Sequence, residues 1–251
     1  MKPLTFYIIF HDNLYESNTQ TFTKEEHELF FCWLAVNEKI KKDIPEWIPK
    51  SSLLKEYEMK IYSPLHQMLH FYQNSAFFHL YWNKHLINSR YIGFGQYDMN
   101  INADEFRKVY YKIKDDVVDN IVGIFLYKFE TLYSNVITKE GWQICFLNPY
   151  NDFFGTSHTF EMLEKTPLFL LHTFIIPTWY FLHIMPFIEY SLPIIIKTLN
   201  WETKYIAGTL ERIFALAISS AIIEGKFTNL LKLDGMTHIE TQHSKDSFRG
   251  I

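Results

Sequence analysis

The chain has 251 residues, 48% of them hydrophobic, enough for a sizeable core in one large α/β domain, the preferred reading, or in two small ones. Its formal net charge is −4, and Lys and Arg are scattered along it, so no field is present to gather DNA or RNA and nucleic-acid partners are not expected. Cys32 and Cys145 have neither metal-ligand spacing nor a disulfide pattern and read as buried thiols of a reducing compartment; residues 1–10 lack the basic region and cleavage site of a signal peptide, which makes the cytoplasm the expected location.

In chain order, Phe6 to Phe10 is a continuous apolar run that fits a central strand covered on both faces, with His11, Asp12 and Asn13 as a polar trio at its carboxyl end. The spacing of Phe30, Phe31, Leu34 and Ile40 predicts a helix over residues 25–42. Ser63 and Pro64 then supply an N-cap and a first helical position for a long helix over residues 63–86, with Leu65, Met68, Leu69, Tyr72, Ala76 and Leu80 as its core stripe. His66, His70 and His79 on this helix lack the glutamate of a His-Glu-x-x-His zinc pattern and read as surface residues.

Residues 91–98, Tyr91-Ile92-Gly93-Phe94-Gly95-Gln96-Tyr97-Asp98, read as a short buried strand that ends on a carboxylate. An acid at the carboxyl end of a sheet strand commonly faces a ligand. Asn102, with Glu105 three residues on, caps the helix that follows, whose inner face is Phe106, Val109, Tyr110 and Ile113. Strand, acid and helix in that order point to a phosphate or metal site. Gly93 and Gly95 lack the third glycine of a dinucleotide fingerprint and are expected to allow close backbone packing near a ligand.

Residues 121–129 fit a helix or a strand equally well, and Trp142 to Leu147 is predicted as a strand before a polar turn at residues 148–152. Residues 166–188 contain no Asp, Glu, Lys or Arg and are long enough to cross a bilayer. Pro167, Pro177 and Pro186, with His172 and His183, argue instead for a buried strand followed by a helix, and leave a peripheral membrane contact open. Thr209 heads a helix with Leu210, Ile213, Phe214, Ala217, Ile218, Ala221 and Ile222 inward, and residues 234–251 form a polar tail, either loose or folded over the site.

The aromatic helix at residues 62–83, the Tyr91 to Asp98 strand, the aromatic segment at 179–190 and the Gly208-Thr209-Leu210-Glu211-Arg212-Ile213-Phe214 helix together resemble the capsular-polysaccharide-type glycosyltransferases of bacteria and large DNA viruses. Two elements carry the resemblance: a Tyr-Ile-Gly-x-x-x-Tyr segment after an aromatic helix, and a late Gly-x-x-Glu-Arg-Ile-Phe helix after an aromatic segment. It covers nearly the whole chain and implies an α/β fold of GT-A type, a Rossmann-like mixed sheet flanked by helices. One domain over 1–251 would then comprise a nucleotide-binding half (about 1–100), an acceptor-binding half (about 101–233) and the tail.

The resemblance also implies a UDP- or GDP-sugar donor, a glycan acceptor and a divalent cation, Mn²⁺ or Mg²⁺. The Asp-x-Asp usual at the metal site is replaced by Gln96-Tyr97-Asp98, so the metal site is weaker, borrows a ligand such as His238, or is absent. Asp98 would hold the ion, with Gln96 and Tyr97 beside it, His11 and Asp12 on the base or ribose, and Arg212 on phosphate. Glu211 is the candidate general base, and Trp179 and Tyr180 are candidate stacking platforms for the acceptor sugar. The rival class is a noncatalytic nucleotide- or glycan-binding module.

Overall fold

The structure is a computed structural model that describes residues 1–11, 14, 21–39, 44–124, 138–164 and 173–238. In chain order its elements are β1 (Lys2–Phe10), α1 (Lys24–Phe30), β2 (Phe31–Ala35), β3 (Leu53–Lys55), α2 (Leu65–Met68), α3 (Asn74–Trp82), β4 (Ser89–Gln96), β5 (Met99–Ile101), α4 (Ala103–Asp115), β6 (Ile121–Ile124), α5 (Lys139–Trp142), α6 (Asn148–Phe154), α7 (Phe160–Glu164), β7 (Phe174–Pro177), α8 (Thr178–Thr198), α9 (Ile206–Ile223), β8 (Asn229–Lys232) and β9 (Met236–His238).

Seven strands form one sheet in the order β3-β2-β1-β4-β7-β6-β8, and β5 pairs with β9 in a separate ribbon. β3, β2, β1 and β4 run parallel, whereas β7 is antiparallel to both of its neighbours. This is the expected α/β architecture, a mixed sheet flanked by helices. Alternation along β1 explains its place at the centre: Leu4, Phe6, Ile8 and Phe10 enter one core with α1 and α4, while Tyr7 and Ile9 enter the other with α3, α8 and α9.

Several predicted elements are corrected. The helix expected over 25–42 stops at Phe30, and Phe31 to Ala35 is a fully buried strand. Helical spacing misled there because a strand buried on both faces is apolar at every position. Thr23 opens α1 with a capping box, its Oγ1 accepting the Glu26 amide while Glu26 Oε2 accepts the Thr23 amide. Trp142 to Leu147 is helical rather than extended, passing through a π-helical stretch at Gln143–Leu147 into α6, so the polar run at 148–152 is a helix and not a turn. Residues 121–124 settle as strand β6.

Residues 166–172 of the charge-free stretch lie outside the described residues; over 173–188 the strand-then-helix reading holds as β7 and α8, although α8 continues through Pro186 and Pro193. By length and composition Thr178–Thr198 and Thr203–Ile223 could each cross a membrane; 67% of the apolar window of the second is buried inside this fold, as for a core helix, and 44% of that of the first. Cys32 and Cys145 are buried free thiols, and desolvation pushes both up to about 12, which keeps them protonated and unreactive.

Gly93 and Gly95 face Phe6 rather than a ligand. A Cβ at Gly93 would stand 2.4 Å from Phe6 Cδ2 and 3.0 Å from Ile175 Cγ1, and one at Gly95 would stand 2.7 Å from Phe6 Cε1. The phenyl ring lies flat over β4 because both side chains beneath it are missing, and it meets Phe31 and Phe106 edge-on. Gly93→Ala is therefore expected to destabilise the fold by about 1–3 kcal/mol through overpacking, measurable as a lower urea midpoint at unchanged slope.

Candidate functional site at the carboxyl ends of β1 and β4

From β1 the chain moves outward to β2 and β3, then returns to the other side of β1 as β4, so strand order reverses between β1 and β4. In open α/β sheets such a switch point leaves a crevice at the carboxyl ends of the strands. Ile9 pairs with Gln96, and the Tyr97 amide donates to Ile9 O at 3.1 Å, which seats the Tyr97-Asp98 turn directly beyond β1. The His11 ring meets Tyr97 edge-on at 4.9 Å and Tyr72 at 6.3 Å. Gln96, Tyr97 and Asp98 are half-buried, with Asp98 Oδ1 shielded from solvent. Of the predicted donor residues, His11, Gln96, Tyr97 and Asp98 are thus brought together. Asp12 lies outside the described residues.

The long helix predicted over 63–86 is broken. Between α2 and α3, His70 and Tyr72 take left-handed backbone conformations (φ 57° and 49°), and the fully buried Phe71 between them anchors the bend. Leu65, Met68 and Tyr72, expected in the core, are exposed instead, and the break carries Tyr72 to His11. His70 Nδ1 lies 2.9 Å from Thr203 Oγ1, just before α9, and Asn74 Nδ2 donates to Ala207 O at 3.2 Å. α9 therefore starts at the site edge, with Glu211 and Arg212 in its second turn, and reaches the opposite edge by Ala217, whose carbonyl accepts Tyr180 OH. Arg212 Nη1 donates to Gly208 O at 2.9 Å, while its buried Nε has no partner among the described residues, leaving guanidinium capacity for an anion.

Sequence reasoning missed Glu56, which follows β3 at the same edge and is fully buried. Its Oε1 accepts the Asn37 amide and Gln67 Nε2, both at 2.8 Å; its Oε2 lies 2.6 Å from Ser75 Oγ and 2.9 Å from His79 Nδ1. The Ser63 amide donates to His79 Nε2 at 3.0 Å, so the ring carries its proton on Nδ1 and gives it to Glu56. Burial alone would raise the Glu56 carboxyl; the bond from His79, with those from Asn37 and Ser75, outweighs it and holds the carboxyl below its ordinary value. The signal that singled out Asp98, an acid at the end of a strand, also applies to Glu56, but β3 is only three residues long and went unread.

His66 and His79, read as surface residues, are buried. His66 stacks on Phe71 at 4.6 Å and meets Phe78 and Trp82, and desolvation pushes it down to about 4. The unfolded chain binds a proton there near pH 6.5 and the folded chain does not, so stability falls as pH drops from about 6.5 to 4, by roughly 3 kcal/mol in all. Thermal melts across that range should show the loss, and His66→Phe should flatten it.

Two predicted acceptor residues stand elsewhere. Pro177 pairs with Tyr91 at the amino end of β4, which places Trp179 at the opposite edge of the sheet, ~20 Å along the strand from Asp98. There its Nε1 donates to Asp119 O at 3.1 Å. Tyr180 is fully buried and hydrogen-bonded to α9, and desolvation raises its hydroxyl well above the ordinary value. It is core, because β7 runs antiparallel and delivers the start of α8 to the wrong end.

Among the described residues no three His, Cys, Asp or Glu side chains form a cation cage. Asp98 with the neighbouring Gln96 amide is nonetheless a fit for a hard ion that takes one carboxylate and completes its shell with phosphate and water. β9 pairs antiparallel with β5 in the register Met99 to His238, setting the His238 backbone across from the residue after Asp98. A neighbouring hollow of about 420 Å³ beside β5 includes Asn100, Asn102 and Arg107, but that guanidinium is committed to Glu26 and Asp104.

No protein-family model matches the chain, and no curated protein matches it. Solved structures do. Mouse xyloside xylosyltransferase 1 in its apo form aligns at 8% identity over 90% of this chain and 85% of its own, with a TM-score of 0.40. Glucosyl-3-phosphoglycerate synthase from Mycobacterium tuberculosis, in complex with Mg²⁺ and uridine diphosphate, aligns at 8% identity over 96% and 73%, with a TM-score of 0.44. The apo structure of the WbbM bifunctional glycosyltransferase aligns at 11% identity and a TM-score of 0.60 over 95% of this chain, which spans 45% of that protein's length. The chain thus has the GT-A-like α/β fold, a mixed seven-stranded sheet flanked by helices, that it shares with a glycosyltransferase.

Proposed function

We propose that the protein is a nucleotide-sugar-dependent glycosyltransferase that moves a sugar from a UDP- or GDP-sugar to a glycan acceptor, as in the building of a polysaccharide. One observation supports the reading: strand order reverses between β1 and β4, and His11, Gln96 and Tyr97 meet at the carboxyl ends of those strands with Asp98 next in the chain. The fold shared with a bifunctional glycosyltransferase supports it.

In this reading the donor diphosphate lies against the Tyr97-Asp98 turn, with Arg212 in the second turn of α9 on its oxygens. Mg²⁺ or Mn²⁺ on Asp98, with His238 as the further candidate ligand, would neutralise the charge that develops on the leaving diphosphate. The acceptor oxygen forms its bond to the anomeric carbon as the bond from that carbon to the diphosphate oxygen breaks, and the electron pair leaves with the diphosphate. In an inverting transfer Glu211 takes the acceptor proton. Gln96 and His11 orient the donor by hydrogen bonds.

Incubation of the purified protein with a panel of UDP- and GDP-sugars and Mn²⁺ tests the proposal: donor hydrolysis or transfer to an oligosaccharide is expected with at least one. Gln96 in place of an acid favours one rival, a nucleotide-binding module without turnover. Tight nucleotide binding with no hydrolysis of any donor would decide for that rival.

A further inference from the structure

Resting on that reading, we infer that Tyr72 forms the outer wall of the nucleobase subsite and that Glu56 is the positioning residue that holds it there. Tyr72 is a large side chain in a left-handed backbone conformation, a strain on the order of 1–3 kcal/mol that persists only where surrounding contacts over-determine it. Those contacts trace to Glu56. The Tyr72 carbonyl lies 2.8 Å from Ser75 Oγ and 3.2 Å from Gln67 Nε2, and both of these groups bond to the Glu56 carboxylate. The Ser75 hydroxyl has one proton and the Gln67 amide two, so Ser75 donates to Glu56 Oε2 while Gln67 divides its pair between Glu56 Oε1 and the Tyr72 carbonyl, with Ser75 Oγ packed 2.6 Å from Gln67 Nε2. The same carboxylate takes the amide of Asn37, another left-handed residue just past β2. Glu56 thereby ties the ends of β2 and β3 to the break between α2 and α3.

The clamp delivers an exposed ring. Tyr72 is 44% accessible although its neighbour Phe71 is fully buried, and it stands across His11 from Tyr97. A nucleoside diphosphate with its phosphates at the Asp98 turn must extend its base away from that turn. On the far side of the contact between Tyr97 and His11 the Tyr72 ring, 6.3 Å from His11, offers an exposed aromatic face that can take a planar heterocycle by stacking. A sugar, held next to the phosphates, would meet Tyr97 before it met Tyr72.

The test measures binding of UDP, GDP and inorganic pyrophosphate by calorimetry, beside a thermal melt of each variant. Tyr72→Gly keeps the left-handed backbone without strain and removes the ring. It is expected to melt at or above the wild-type temperature and to bind the nucleotide about five- to a hundredfold more weakly, with pyrophosphate binding unchanged. Tyr72→Phe should restore the affinity. Ser75→Ala and Glu56→Gln should weaken nucleotide and spare pyrophosphate as Tyr72→Gly does; should Glu56→Gln fail to fold, Ser75→Ala and Gln67→Ala serve. Wild-type nucleotide affinity in Tyr72→Gly overturns the subsite, and wild-type affinity in the clamp variants overturns the role of Glu56. If the wild-type protein itself binds neither UDP nor GDP, the glycosyltransferase reading falls as well, an outcome distinct from the first two.

Discussion

Asp98→Asn is expected to lower sugar transfer by about 10²–10³-fold, because the substitution keeps the size of the side chain and removes its charge. The turn is held by backbone, through the bond from the Tyr97 amide to Ile9 O and the pairing of β5 with β9, and neither depends on the carboxylate. In the proposed mechanism the charge acts where negative charge builds on the departing diphosphate. The loss should therefore fall on kcat more than on KM, and the stimulation of nucleotide binding by Mn²⁺ should disappear with it. Steady-state assays of released UDP or GDP across Mn²⁺ concentrations check both. Full turnover in this variant would remove the acid at the end of β4 from the mechanism.

Glu56→Ala is expected to destabilise the protein by about 3–5 kcal/mol, since it leaves the Asn37 amide, Gln67, Ser75 and His79 facing a void without their common acceptor. For a chain of this length that corresponds to a drop of roughly 10 °C in melting temperature. Its pH dependence has a fixed sign. The folded carboxyl is depressed, so its contribution is present above the ordinary carboxylate value of about 4.3 and is lost as pH falls through the folded value. The His66 loss begins higher, near pH 6.5. Acid unfolding should accordingly show two stages in wild type, with the lower one missing in a Glu56→Gln variant that folds.

The central part of the fold was legible because its signals are local. β1 and β4 are runs of buried apolar residues that end on polar ones, and Asn102 caps α4 with its side chain on the Glu105 amide, as the spacing indicates. What failed was decided by partners far along the chain. Phe31 to Ala35 became a strand because β1 and β3 lie on either side of it, and Trp142 to Leu147 became helical although its composition suits a strand. The break at His70 and Tyr72 has no proline or glycine to announce it; it depends on Gln67, Ser75 and a carboxylate at residue 56. The candidate site divides in the same way. That Asp98, Gln96, Tyr97 and His11 sit together at strand ends could be read. Trp179 and Tyr180 could not be placed, because the antiparallel direction of β7 is not written in its own residues.

The ribbon of β5 and β9 bears on biosynthesis. β5 follows directly on the turn that carries Asp98, yet its only ladder partner among the described residues arrives more than 130 positions later. A chain emerging amino end first can assemble the parallel strands early. The edge of β5 stays unpaired until residues 236–238 clear the ribosome, so on the proposed function nascent chains should be folded but unable to retain a sugar nucleotide. Proteolytic trimming from the carboxyl end should return the finished protein to that same unloaded condition.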